Sequence, residues 1–162
     1  MSGILKRKVL MVCLGNICRS PLAEGVLNQI LKEKNLSEQF EVDSAGTIGA
    51  HTGELPDHRS LKVAENHGFK LTHLARQFSK KDFEYFDHIL VMDDSNYDDV
   101  TSLTKDQKHI DKVKRIVEFD SRANAEDNVA DPYYGNIHNF EAVYEQLRHC
   151  IYGFLIQELV SE

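Results

Sequence analysis

The amino-terminal part of the chain contains the stretch Cys13-Leu14-Gly15-Asn16-Ile17-Cys18-Arg19-Ser20, which separates two segments of different periodicity. Before it, the run Val9–Val12 is apolar, short and unbroken, which is typical of a buried strand in a parallel sheet. After it, apolar residues recur with helical spacing, and we expect Ser20 to be the N-cap and Pro21 the first helical residue. The sequence therefore predicts a strand, a tight loop and a helix N-terminus, with the thiol of Cys13 at the end of the strand.

The composition of this loop indicates an anion site. Loop amides and the helix N-terminus supply N–H groups and the positive end of the helix dipole. Gly15 allows close approach of the backbone, Asn16 tolerates a left-handed conformation, and the guanidinium of Arg19 can pair with two phosphoryl oxygens. The same positive field favours the thiolate of Cys13, a nucleophile that would form a phosphocysteine. We predict that phosphate binds to Leu14, Gly15, Asn16, Ile17, Cys18 and Arg19.

A Cys-x5-Arg spacing alone is weak evidence, and the alternative is a small buried cysteine at a strand end. The surrounding strand, Gly-Asn pair and helix start make the pattern specific. Five further blocks accompany it: Asp43-Ser44-Ala45-Gly46, Pro56-Asp57-His58-Arg59, His73-Leu74-Ala75-Arg76-Gln77, Met92-Asp93-Asp94-Ser95-Asn96 and Asp131-Pro132-Tyr133-Tyr134-Gly135. In their order and over nearly the whole chain, these blocks resemble the low-molecular-weight protein tyrosine phosphatases.

The resemblance implies hydrolysis of phosphotyrosine, with Cys13 as nucleophile, Arg19 as phosphate ligand and Asp131 as general acid and base. From the residues alone, Asp131-Pro132 is equally a turn opener. Tyr133 and Tyr134 are implied walls for the substrate ring, and the alternative is that both pack over the loop. The family places a tryptophan wall where this chain has Ala50, and the chain contains no tryptophan.

Four residues match family positions that support the loop through hydrogen bonds: Asn16, Ser20, Ser44 and His73. Taken by itself, Ser20 is also a helix cap and His73 a surface histidine. In the family, a cysteine at the position of Cys18 can form a disulfide with the nucleophile, and the alternative is a small residue that fills the loop. Cys150 falls on the apolar side of the last helix and is interpreted as an inert core residue.

Length and composition indicate one globular domain over residues 1–162, with 41% hydrophobic residues and a net charge of −7. The negative charge argues against nucleic acid or an anionic membrane as the main partner. The family resemblance implies a phosphotyrosine-containing protein or an aryl phosphate as the partner. Three cysteines favour a reducing cytoplasm over a disulfide framework. We expect no cofactor and no metal, and a monomer or weak dimer.

Apolar runs that alternate with helical patterns predict an α/β fold, a four-stranded parallel sheet with helices on both faces and the phosphate-binding loop after the first strand. The further strands are predicted at Phe40–Ala45, His88–Met92 and Val113–Phe119. Helices are expected after the caps Asp57 and Ser79, from Ser95 onward, and over the apolar stripe from Phe140 to Leu155. Cys13 then lies at the carboxyl ends of the strands, where such sheets bind ligands.

Three other functions are weighed against this one. Thioredoxin-coupled arsenate reductases share the fold and loop but need two further cysteines, and none occurs between Cys18 and Cys150. Related phosphatases that act on phosphoarginine tend to carry threonine where this chain has Ile17. A phosphate-binding module without turnover would not need Cys13, Arg19 and Asp131 together.

Overall fold

The computed structural model describes residues 5–124 and 126–160. The predicted domain span, 1–162, thus includes residues 1–4, 125, 161 and 162, which lie outside the described part. Four strands occupy Arg7–Cys13 (β1), Phe40–Gly46 (β2), His88–Val91 (β3) and Val113–Arg115 (β4). Six α-helices occupy Arg19–Glu33 (α1), His58–Asn66 (α2), Lys81–Tyr85 (α3), Asp94–Thr101 (α4), Gln107–Ile110 (α5) and Ile137–Val160 (α6).

The strands form one parallel sheet in the order β2-β1-β3-β4, which confirms the predicted fold class. Side chains of β1 alternate between two cores because successive strand residues point to opposite faces. Val9 and Met11 pack with α1, α2 and α6, whereas Leu10 and Val12 pack with Phe83 of α3 and other residues of the second face. Helices therefore cover the sheet on both faces.

The strand order places a topological switch point between β1 and β3, because the chain leaves β1 towards β2 and later returns to the other side of β1. In parallel α/β sheets, the crevice at the carboxyl ends of such strands is the usual ligand site. Cys13 ends β1 and Asp93 follows β3 by two residues, so both lie at this edge. Of the helices in the described residues, none combines the length and apolar character needed to cross a membrane.

The predicted fourth strand, Val113–Phe119, is wrong in its second half. Only Val113–Arg115 pairs with β3, and Ile116–Phe119 forms a 3-10 turn. The side chain of Glu118 accepts a hydrogen bond from the Arg115 amide at 2.9 Å, which closes the turn. Ile116 and Val117 are buried with the core of α1 and α6, so tertiary burial accounts for their apolar character without strand pairing.

Candidate active site

The loop of residues 14–18 is held from outside through its carbonyl groups. Thr47 and Ile48 donate their amides to the carbonyl oxygens of Cys13 and Leu14 at 2.9 and 3.0 Å, and Asp57 donates to Ile17 at 2.7 Å. This arrangement occupies loop carbonyls with partners in neighbouring elements. A loop that binds an anion through its N–H groups needs its carbonyls engaged elsewhere.

Close approach of two backbones explains the glycine that ends β2. A Cβ atom on Gly46 would lie 2.7 Å from the Leu14 carbonyl oxygen and 3.0 Å from the Asn16 nitrogen. Any side chain here would push the loop away from the sheet. The glycine of the Asp-Ser-Ala-Gly block is therefore a packing requirement of the loop at residues 14–18.

Cys13 is buried, and its sulfur lies 3.0 Å from the hydroxyl of Ser20. The prediction that Ser20 is the N-cap of α1 is wrong, because the helix begins at Arg19 and Cys18 takes the cap position without a side-chain cap bond. Ser20 is fully buried in the first turn. Its hydroxyl is thereby directed to the thiol and to Asn16 instead of to the helix amides.

Asn16 is the centre of the hydrogen-bond network under the loop. Its amide nitrogen donates to the hydroxyls of Ser20 and Ser44 at 2.7 and 3.0 Å. Its carbonyl oxygen pairs with His73 Nε2 at 2.7 Å and accepts from the Arg76 amide at 3.0 Å. The backbone of Asn16 has φ 60°, a left-handed conformation that asparagine tolerates better than most residues. The structure thus brings the four predicted supporting residues together.

Two carboxylates that the sequence analysis did not single out complete this network. Glu24 accepts from the Ser44 hydroxyl at 2.7 Å, and His73 Nδ1 lies 3.4 Å from Glu24 and 3.3 Å from Asp43. Burial raises the pKa of Glu24. Burial opposes the ionisation of Asp43, but hydrogen bonds from His73 and from the Ser44 amide, together with the charge of Arg76, hold its pKa below the usual value.

Glu24, Asp43 and His73 are the one group among the described residues whose ligand atoms lie within 4.8 Å of one another, close enough for a metal ion. Their atoms already pair with each other, and the carboxylates also pair with Ser44 and Arg76. The polar atoms of all three side chains are thus engaged by protein partners. We therefore interpret the group as support for the loop.

Arg19 is almost completely buried, and its orientation is set by two acceptors beyond the loop. Its Nη1 atom donates to Asp93 Oδ2 at 2.7 Å and to the Val129 carbonyl at 2.9 Å, and Nη2 lies 3.7 Å from Asp131 Oδ2. Asp93 also caps α4 by accepting from the Asn96 amide, so α4 begins at Asp94 and not at the predicted Ser95. The Met92–Asn96 block signalled this region, but not the role of Asp93.

A cavity of about 260 Å³ opens at the edge of the sheet beside the loop. Its lining comprises Cys13, Leu14, Gly15, Ile17, Cys18, Arg19, Ile48, His51, Asp131, Tyr133 and Tyr134. A larger cavity of about 440 Å³ lies between α1 and the segment after α2, but its lining contains neither a cysteine nor an arginine. The chemistry of the side chains therefore favours the smaller cavity as the active site.

The rim of this cavity is formed by apolar and aromatic side chains. The rings of Tyr133 and Tyr134 lie 5.0 Å apart and nearly perpendicular, and Tyr134 is 95% exposed. Ile48 and His51, which the sequence analysis missed, also line the cavity, and Ala50 lies outside the lining. The imidazole carbon Cδ2 would lie 3.1 Å from a Cβ placed on Gly15, so His51 leans directly over the loop.

All three cysteines are free thiols. Burial, and then the nearby carboxylate of Asp57, raise the pKa of Cys18 far above its usual range. Burial raises the pKa of Cys150 to about 12, and this residue is inaccessible in α6. Both thiols are therefore protonated at neutral pH, as expected of cysteines without a nucleophilic role.

The chain is similar to known proteins over nearly its whole length. The profile of the family described as low molecular weight phosphotyrosine protein phosphatase matches residues 8–162. A human low molecular weight phosphotyrosine protein phosphatase is 42% identical over 150 residues, which cover 92% of this chain and 94% of the human one.

Solved structures with this fold include two phosphatases that are named for different substrates. A protein tyrosine phosphatase from Entamoeba histolytica, crystallised with Hepes in its active site, has a TM-score of 0.91 and 34% identity, covering 96% of this chain and 99% of its own. A Drosophila arginine phosphatase has a TM-score of 0.85 and 33% identity, covering 93% of this chain and 97% of its own. Both classes of substrate therefore have to be tested on this chain.

Proposed function

The chain belongs to the low molecular weight phosphotyrosine protein phosphatase family, and from this membership we propose that it hydrolyses phosphotyrosine through a phosphocysteine on Cys13. The convergence of a thiol, a guanidinium and a carboxylate on one cavity carries the proposal: Cys13, Arg19 and Asp131 all line it. These are the groups that a metal-free phosphoryl transfer to a protein nucleophile requires.

In the first step, the Cys13 thiolate attacks phosphorus and the bond between phosphorus and the tyrosyl oxygen breaks. The loop amides and Arg19 bind the phosphoryl oxygens, where charge develops in the transition state. Asp131, in its protonated form, donates its proton to the departing phenolate. General acid catalysis of this kind contributes about 10²–10⁴-fold to the rate.

In the second step, a water molecule attacks the phosphocysteine. Asp131, now a carboxylate, takes a proton from this water, and the bond between phosphorus and sulfur breaks. The electron pair returns to Cys13 as a thiolate, and the Ser20 hydroxyl at 3.0 Å donates to it. Inorganic phosphate then leaves, and the enzyme regains its starting protonation state.

The shape of the cavity supports an aryl substrate. The ring of a phosphotyrosine can insert among the side chains that line the cavity beside the loop, which include Ile48, His51, Tyr133 and Tyr134. Ring burial and stacking between aromatic faces favour this pose, whereas a phosphoserine side chain is too short to carry its phosphorus to Cys13. Because the whole chain has a charge of −7, the attraction of a phosphorylated protein depends on the local field of the loop. A reducing cytoplasm is the proposed setting, because there the thiols stay free.

A substrate panel tests this proposal: matched phosphotyrosine, phosphoserine and phosphoarginine peptides, with arsenate reduction as a redox control. We expect turnover of the phosphotyrosine peptide at least about 100-fold faster than of the other two, which corresponds to about 2.7 kcal/mol of transition-state discrimination. Faster turnover of the phosphoarginine peptide would show that phosphoarginine, and not phosphotyrosine, is the substrate class.

Two variants test the assigned chemistry. Cys13→Ser should bind inorganic phosphate and show no turnover, because the hydroxyl is a far weaker nucleophile at neutral pH. Asp131→Asn should slow phenyl phosphate, which has a poor leaving group, by about 100-fold or more and p-nitrophenyl phosphate much less. Full activity of Asp131→Asn on phenyl phosphate would show that another group is the acid.

A further inference from the structure

Asp57 and Arg59 form a rigid fork at the start of α2. The Asp57 carboxylate caps the helix by accepting from the Arg59 amide at 2.9 Å. The same carboxylate accepts from Nε and Nη2 of the Arg59 side chain, both at 2.9 Å. A guanidinium held by two parallel bonds has a defined plane, which a single ion pair would not give.

The outer edge of this guanidinium binds the loop that contains Asp131. Arg59 Nη1 donates to the Gly135 carbonyl at 2.8 Å and Nη2 donates to the Tyr133 carbonyl at 3.0 Å. On its other side the guanidinium carbon lies 4.4 Å from the centre of the Phe140 ring in α6, which adds a cation–π contact. Arg59 thus fixes both carbonyls of one turn.

The backbone of Tyr133 links this fork to the proposed acid. Its amide donates to Asp131 Oδ1 at 3.1 Å, while its carbonyl accepts from Arg59. Two hydrogen bonds therefore join the Arg59 guanidinium to the Asp131 carboxylate through the backbone of one residue, Tyr133. The side chain of Asp131 is 40% exposed, so burial alone does not hold it in place.

The same turn of α2 also contacts the phosphate loop. The Asp57 amide donates to the Ile17 carbonyl at 2.7 Å, and the Ser60 hydroxyl donates to the Cys18 carbonyl at 3.1 Å. The start of α2 is therefore bonded both to the loop that would hold the phosphate and to the turn that follows the acid. The distance between nucleophile and acid depends on this shared support.

We infer that Arg59 is a positioning residue that sets the place of Asp131 relative to the Cys13 loop. This inference rests on the proposed function, since it takes Asp131 as the general acid. Arg59 touches no reacting atom, and loss of its fork leaves the nucleophile and the phosphate ligands intact. Its removal should selectively slow substrates whose leaving group needs a proton.

The test compares kcat/KM for phenyl phosphate and p-nitrophenyl phosphate in Arg59→Met and Arg59→Lys. Both variants lose the bidentate hydrogen bonds between residue 59 and Asp57. Arg59→Lys keeps the positive charge, so this variant retains the fold if the charge alone is needed for folding. We expect a loss of about 10-fold or more on phenyl phosphate and less than about 3-fold on p-nitrophenyl phosphate, because only a part of the general acid effect is lost. The inhibition constant of inorganic phosphate should stay within about 3-fold.

The chain offers a matched control in Arg122. Its Nε and Nη2 atoms donate to the two carboxylate oxygens of Asp120, both at 3.0 Å, which is the same fork. This fork lies at an exposed site away from the Asp131 turn. Arg122→Met should change both substrates by less than about 2-fold.

Combination with Asp131→Asn separates the two proposals. If Arg59 acts through Asp131, Arg59→Met should cause no further loss on phenyl phosphate in the Asp131→Asn background. Two results would overturn the role of Arg59 while Asp131 remains the acid. One is an equal loss of kcat/KM on both substrates, and the other is a loss in the Asp131→Asn background as large as the loss in wild type. If Asp131→Asn itself shows no leaving-group dependence, the acid assignment fails first.

Discussion

The hydroxyl of Ser20 lies 3.0 Å from the sulfur of Cys13, so the first turn of α1 carries a hydrogen-bond donor to the end of β1. The two residues are brought together by the loop that lies between them. Asn16 binds the same hydroxyl at 2.7 Å and fixes its direction. A donor in this place acts on the sulfur whenever it carries negative charge.

Ser20→Ala should slow the second chemical step more than the first, because the sulfur is the leaving group only when phosphocysteine is hydrolysed. We expect kcat on p-nitrophenyl phosphate to fall by about 10-fold or more and kcat/KM to fall less. Rapid-mixing kinetics should show a burst of nitrophenol. The exposed Ser102, changed to alanine, serves as control. An equal fall in both constants without a burst would contradict the role.

Asn16 combines a left-handed backbone with four side-chain hydrogen bonds, and two variants separate these contributions. Both variants remove the bonds, but Asn16→Ala retains a Cβ at φ 60° without the local stabilisation that asparagine gives this conformation, whereas Asn16→Gly has no Cβ and adopts it freely. We expect Asn16→Ala to lower the free energy of unfolding by about 2–4 kcal/mol, and by about 1 kcal/mol more than Asn16→Gly. Urea unfolding measures both. Equal stability of the two variants would show that the backbone is unstrained there.

Asp43 should make stability depend on pH below the usual carboxyl range. Its pKa is held below the usual value in the folded state, so the folded protein binds fewer protons than the unfolded chain. The stabilisation is complete above about pH 4 and is lost as the pH falls through the folded value. Wild type should therefore lose more stability between pH 5 and pH 3 than Asp43→Asn. Urea unfolding at both pH values checks this, with the exposed Asp98→Asn as charge control. Parallel losses in wild type and Asp43→Asn would refute it.

His51 should contribute to binding of the aryl ring because its imidazole leans over the loop at the cavity rim. His51→Ala should raise KM for a phosphotyrosine peptide by about 3- to 10-fold and leave kcat within about 2-fold, the pattern of lost ground-state binding. The neighbouring Ala50, outside the cavity lining, provides the control Ala50→Ser. Steady-state kinetics on both variants decide the point. If Ala50→Ser had the larger effect, the wall would lie at the position that the family resemblance indicates.

The sequence was sufficient for the parts of the fold that depend on neighbours along the chain. The apolar run before Cys13, the Gly-Asn pair and the helical spacing that follows are short-range signals, and they predicted β1, the loop and α1. Asp57 was correctly predicted to cap a helix, because a cap acts within two or three residues. The limits of local signals appear in Ile116–Phe119, where apolar character reflected burial under α6 and not strand pairing.

Only the tertiary structure decided which residues complete the site. Ser20 is not the helix cap, and its hydroxyl faces the thiol instead. His51 lines the cavity, although the family's tryptophan position carries Ala50 in this sequence. Arg59 binds the carbonyl of Tyr133, which lies 74 positions away along the chain. No spacing rule links such residues, because the sheet order and the packing of α2 bring them together. Local patterns thus determined which chemistry the chain carries, whereas long-range packing determined how its groups are held relative to one another.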